Sequence, residues 1–221
     1  AVTAATLTAL QDFRDLFGRE VLATGNNIRV GQVTLMFTDL KGSTALYEEV
    51  GDVRAFALVQ DHFKLLANAV RESQGAIVKT IGDAVMAVFD RPDHAVQCAL
   101  EVQRRAQSLK GHDGRDVIIK IGVHCGPCLA VEQNEQLDYF GNMVNLAARV
   151  QNESVGRDVV LTQAIVSDAT VKPLLEGLAV EPFGASLRGI KGAIPLLRAW
   201  PLGKLDGPAV TASDGAAPPP A

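Results

Sequence analysis

An α+β domain, with helices laid over one face of a mostly antiparallel sheet, is predicted by three features of this sequence. Short β-rich apolar runs alternate with segments of helical period, tight turns join some runs into hairpins, and strict βαβ regularity is absent. The chain has 221 residues, enough to bury a core of its own. Its apolar residues form no run long enough to span a bilayer, and no secretory signal opens it.

The elements follow in order. Leu7, Leu10, Phe13, Phe17 and Val21 recur every three or four residues, so 5–24 is expected to be an amphipathic helix. Its apolar face suits a partner; the alternative is a helix folded back on its own domain. The turn formers of GNNIRVG (25–31) break the pattern, and VTLMF (33–37) is a strand that stops at Thr38-Asp39. Phe56, Val59, Phe63, Leu66 and Val70 then keep helical period, and Gly75 closes that helix. AIVKTIGDAVMAVF (76–89) reads as two short strands around Gly82-Asp83. Ala95, Ala99, Val102 and Ala106 mark a helix started near Pro92-Asp93. VIIKIGVHCG (117–126) is apolar enough for a central strand, GNMVNLAARVQ (141–151) is a helix and DVVLT (158–162) a strand. Strand-like runs near 178–183 and 194–200 finish the domain. Beyond Leu202 the composition turns to Gly, Ala and Pro, so residues 203–221 are expected to be a disordered tail.

The net charge, 21 − 25 = −4, comes with scattered basic residues, which speaks against a nucleic-acid binder. Three cysteines, Cys98, Cys125 and Cys128, are too few for a disulfide framework, and a reducing cytoplasm is the expected compartment. Cys125-Gly-Pro-Cys128 has redox spacing, but strand-like residues follow it where a redox motif would open a helix. A zinc site using His124 would lack an evident fourth ligand. Cys98, among Ala95, Ala99 and Val102, reads as a small core residue.

Two carboxylates stand out. Asp39 ends an apolar strand and Asp83 sits in a turn between two, positions that are rigidly held yet reach solvent. Converging, they would suit a pair of Mg2+ or Mn2+ ions of the kind used in phosphoryl transfer. The plainer alternative is a helix cap at Asp39 and an ordinary turn residue at Asp83.

Four strings in order, FTDLKGST (37–44), GAIVKTIGDAVMAVF (75–89), IGVHCGP (121–127) and DYFGNMVNLAARV (138–150), resemble the successive motifs of the class III adenylate and guanylate cyclases. The resemblance runs from about Gly31 to Trp200 and implies a ferredoxin-like βαββαβ core with a mostly antiparallel sheet. It implies a catalytic domain over 31–202, preceded in 1–30 by a helical transducer segment. The chain starts at Ala1 rather than Met, so an upstream regulatory domain is expected.

The resemblance also assigns roles. Asp39, Asp83 and the carbonyl of Leu40 match metal ligands for two divalent ions, Mg2+ or Mn2+. Lys79 and Asp138 match the pair that reads the purine. Asn145 matches the residue that orients the ribose, and Arg149 the one that stabilises the transition state. Arg188 or Lys191, in LRGIKG (187–192), matches a triphosphate-gripping cation. The family's sites are shared across a head-to-tail homodimer, with Tyr139 and Phe140 expected at the subunit junction. The implied activity is conversion of ATP into cyclic AMP and pyrophosphate, without membrane contact by this part of the protein. A lysine only donates and an aspartate carboxylate only accepts, which complements the edge of adenine and mismatches guanine. A guanylate-preferring cyclase and a catalytically silent nucleotide-binding dimerisation module are the alternatives.

Overall fold

The computed structural model describes residues 3–17, 27–43, 51–110, 114, 116–133 and 136–203. Its centre is β1 (Asn27–Leu40), α3 (Asp52–Glu72), β2 (Ala76–Ile81), β3 (Ala84–Phe89), α4 (Pro92–Ala106) and β4 (Ile119–Gln133). These strands lie in the order β2-β3-β1-β4, the predicted βαββαβ arrangement. The sheet continues through β6 (Val159–Thr162), β8 (Ala193–Trp200) and β7 (Ala179–Ser186), while β5 (Gln136–Phe140) pairs with β4. Among the described residues only the β4–β6 pairing is parallel.

Both faces of the sheet are covered, not one. Along β1 the buried side chains alternate between two cores. Met36 and Leu40 join Leu66, Ala99, Ile119 and Ile121 under α3 and α4. Val33, Leu35 and Phe37 join Val78, Met86, Leu137, Tyr139 and Met143 on the opposite face. A strand buried on both sides needs no polar alternation, which is why 33–37 is apolar but for the buried Thr34. The second face carries α5 (Asn142–Asn152), α1 (Ala4–Thr8) and α2 (Gln11–Phe17). Short helices α6 (Gln163–Val166) and α7 (Lys172–Leu175) lie between β6 and β7.

Two local expectations are corrected. Residues 27–31 of the expected turn belong to β1, because their backbone pairs with Leu129–Val131 and Cys128 of β4 despite the turn-forming side chains. The register slips between Val30 and Val33, a bulge that bends this arm of the sheet. The helix expected over 5–24 breaks after Thr8, whose hydroxyl bonds back to the carbonyls of Ala4 and Ala5, and resumes at Gln11. Ala5 and Ala9 seat it on its own domain, while Leu7, Leu10, Leu16 and Phe17 of the expected apolar face stay exposed. The rest of that helix and nearly all of the expected tail lie outside the described residues.

Candidate active site

Asp39 is the penultimate residue of β1, half-buried and paired in register with Lys120 of β4. Asp83 follows Gly82 in the β2–β3 turn, where a φ of 63° suits glycine. Burial, and then repulsion from Asp83, raises the pKa of Asp39, with Lys120 and a backbone hydrogen bond at Leu40 pulling the other way. Asp83 Oδ2 is buried without a hydrogen-bond partner. A buried orphan oxygen beside a second, repelled carboxylate is a donor set that fits a cation. Leu40 puts its side chain into the first core, so any role it has toward a cation is through its backbone.

His62 of α3, fully buried, lies against the Asp83 backbone, a neighbour that no motif announced. Burial drives its pKa down to about 4, so the ring is neutral at pH 7. Neither ring nitrogen makes a hydrogen bond of good geometry.

Lys79 and Asp138, 59 residues apart in sequence, meet directly: Lys79 Nζ donates to Asp138 Oδ2 at 2.5 Å. The other carboxylate oxygen accepts from the Tyr139 backbone N–H at 2.8 Å. Asp138 is nearly enclosed, whereas about a third of the Lys79 side chain is exposed (35%). The bent β1–β4 arm carries β5 over the second face to reach β2, which is how this pair forms.

Asn145 and Arg149, one helical turn apart on α5, line a cavity of about 610 Å³ with His124, Gly126, Gly189 and Ile190. The helix sits unusually close to β4 because Gly122 has no side chain: a Cβ there would lie 2.3 Å from the Gln151 nitrogen. Carbonyls at its C-terminus and just beyond it are met by cations from three directions. Lys120 donates to Asn152, Arg198 to Glu153 and Lys41 to Val155, at 2.8, 2.8 and 3.0 Å. Gly189 brings the 187–192 loop against the Arg149 guanidinium. Arg188 and Lys191 are exposed on that loop and do not line the cavity.

The structure therefore brings together Lys79 with Asp138, Asp39 with Asp83, and Asn145 with Arg149. Asp39 and Asp83 do not line the cavity that holds Arg149. His124, on that cavity's floor, is four residues beyond Lys120, about 13 Å along β4. Tyr139 is buried within the chain, its hydroxyl donating to the Thr8 carbonyl at 3.1 Å, while Phe140 is exposed. Cys125 and Cys128 point to opposite cores and burial raises both thiols, Cys128 to about 11, which leaves them unreactive packing groups. Cys98 lies in the first core.

This is the architecture of an open, mostly antiparallel sheet with a βαββαβ centre and a polar site along its strand ends. A family model for the adenylate and guanylate cyclase catalytic domain matches residues 26–181, more than half of the chain. The chain belongs to that family of lyase catalytic domains. An adenylate cyclase of Mycosarcoma maydis is 30% identical over 160 residues, covering 63% of this chain and 6% of that protein. Adenylate cyclase 1 of Rhizobium meliloti is 28% identical over 153 residues, covering 62% of this chain and 23% of that protein. The chain thus spans less than a quarter of either relative. The catalytic core of a rhodopsin-guanylyl cyclase with converted specificity, in complex with ATPαS, superposes with a TM-score of 0.71 at 22% identity. That match covers 80% of this chain and 99% of the other.

Proposed function

We propose that this chain is an adenylate cyclase that converts ATP into 3′,5′-cyclic AMP and pyrophosphate, in sites shared across a head-to-tail homodimer. The observation that carries the reading is the Lys79–Asp138 contact, a donor and an acceptor held side by side. Adenine offers an acceptor at N1 and a donor at N6, so the pair complements it, whereas guanine would leave both groups mismatched.

The substrate's own 3′-hydroxyl is the nucleophile. Its oxygen gives up its proton, to Asp39 or by way of a substrate phosphate to water. That oxygen bonds to the α-phosphorus as the bond from that phosphorus to the bridging oxygen breaks and pyrophosphate leaves. Asp39, Asp83 and the Leu40 carbonyl would hold two divalent cations, Mg2+ or Mn2+, whose chemistry is to neutralise the triphosphate and acidify the ribose hydroxyl. Arg149, permanently charged and planar, meets the charge that gathers on the α-phosphate oxygens. Asn145 orients the ribose from the same helix face, and Arg188 or Lys191 grips the triphosphate. Since Asp39 and Asp83 lie away from the Arg149 cavity within one chain, a partner subunit supplies the missing half of each site.

The domain is read as 31–202, with residues 1–30 as the segment through which an upstream regulatory domain acts. No described helix is long and apolar enough to cross a membrane, and a cytoplasmic ATP pool fits the substrate. The test is direct: purified chain with Mn2+ and either ATP or GTP, scored for cyclic product. Cyclic AMP well in excess of cyclic GMP is expected. Dominant cyclic GMP would assign the guanylate alternative, and no product from a dimeric preparation would assign the silent module.

A further inference from the structure

Lys79 and Asp138 are not the only bridge between β2 and β5. The two short N-terminal helices lie across the same gap. Gln11 Oε1 accepts from the Ile77 backbone N–H of β2 at 2.8 Å, and Arg14 Nη2 donates to the Leu137 carbonyl of β5. The Arg14 guanidinium stands 5.7 Å from the centroid of the Tyr139 ring, whose hydroxyl is tied to Thr8. Ala5 and Ala9 seat the segment in the second core. Every anchor falls within two residues of the ion pair: Ile77 precedes Lys79 by two, and Leu137 and Tyr139 flank Asp138. Among the described residues β2 is an edge of the sheet and β5 pairs with β4 alone, so the strap seats on two strand edges that no other described strand covers.

We propose that Gln11 and Arg14 are positioning residues for adenine recognition, holding β2 and β5 at the separation at which Lys79 and Asp138 read one purine edge together. The proposal rests on the adenylate cyclase reading above. N1 and N6 are neighbours on the purine edge, so a donor and an acceptor already in contact are spaced for them. Strands free to part would let each side chain satisfy itself with water, and binding would then have to restore the pairing. Arg14 acts on this arrangement through Leu137, Tyr139 and its attraction to Asp138, without touching the base.

Steady-state kinetics of the full chain with Mn2+, on ATP and on GTP, test this with Arg14→Ala, Arg14→Lys and Gln11→Ala, alongside thermal melts. In Arg14→Ala the KM for ATP should rise about 5–10-fold with kcat held within about twofold, the signature of lost ground-state binding. The preference for ATP over GTP should narrow by a similar factor. Arg14→Lys, which keeps a cation and a donor for the Leu137 carbonyl, should fall between, and Gln11→Ala should show a smaller rise in KM. Should Arg14→Ala fail to fold, the other two variants decide. Unchanged KM and preference with only a lowered melting temperature would reduce the strap to a structural brace and overturn the proposal. A fall in KM or a gain in kcat would make it a lid and overturn it equally. An inactive wild-type chain sinks the adenylate cyclase reading and this role with it, whereas an active wild type with unaltered variants removes this role alone.

Discussion

Asp39 carries its charge against both burial and the repulsion of Asp83. A carboxyl whose pKa is raised by folding contributes stability at low pH and loses it as pH rises through the folded value. A charge on Asp39 is therefore a cost to the metal-free fold, one that a bound cation would remove. Asp39→Asn should raise the melting temperature in EDTA at neutral pH while abolishing cyclic AMP formation. Mn2+ should raise the melting temperature of the wild type and barely move that of the variant. A variant that melts lower than wild type in EDTA would show that the charge is not the cost described. The purine pair admits a sharper exchange: Lys79→Glu with Asp138→Cys replaces a donor with an acceptor and discards the charge opposite it. Substrate preference should move toward GTP, and unaltered ATP selectivity in competition assays would place the purine elsewhere. Asp39, Asp83, Lys79, Asp138, Asn145 and Arg149 were visible in the sequence because each sits inside a motif string. His62, Lys120, Gln11 and Arg14 were not, since what matters about each is a neighbour tens of residues away that local patterning does not encode.

At the scale of elements, α5 delivers Asn145 and Arg149, and its seat on β4 depends on one missing side chain. A methyl group at Gly122 would meet backbone atoms of Gln151 at 2.3 and 2.4 Å, which cannot rotate away. Overpacking of this kind costs about 1–3 kcal/mol and sometimes more, because the helix must lift from the strand. Gly122→Ala should lower the denaturant midpoint and reduce kcat together, since the displaced helix carries both groups. A destabilised variant with full kcat would separate the seat of the helix from the chemistry. Helical period located α3, α4 and α5 well, because each buries one stripe against the sheet. It failed within 5–17, where Thr8 bonds to its own helix's carbonyls and two short helices stand in place of one. It failed also at 27–31, where pairing with β4 overrides side chains that favour turns, and in expecting one covered face. Alternation along a strand buried on both sides is silent about which helices lie where.

For the molecule as a whole, burial holds two of the described histidines neutral. His62 and His124 each have a pKa lowered from 6.5 to about 4, and His124 also shares a hydrogen bond with Thr162 Oγ1 at 2.9 Å. Groups of this kind support folding above their unfolded pKa and withdraw that support as pH falls toward the folded value. Unfolding free energies from urea titrations should therefore drop between pH 6.5 and 4, by up to about 3 kcal/mol for each ring. His62→Leu should flatten part of that slope, and an unchanged slope would mean that the ring is not held neutral. The last test concerns assembly. Within one chain the carboxylates Asp39 and Asp83 do not line the cavity around Arg149, and on the proposed reading a complete site takes the carboxylates of one subunit and the arginine of another. Asp39→Ala and Arg149→Ala should each be inactive alone, because every site in either homodimer lacks one of the two. Mixed, random pairing gives half of the dimers one variant of each kind, and each such dimer has one intact site and one doubly damaged site. With two sites per wild-type dimer, the mixture should recover about a quarter of wild-type activity if subunits exchange freely and sites act independently. Labelled subunits can confirm the exchange. If they exchange and activity stays absent, each site is built within one chain, and the separation of the carboxylates from Arg149 would have to close by a movement of the chain itself.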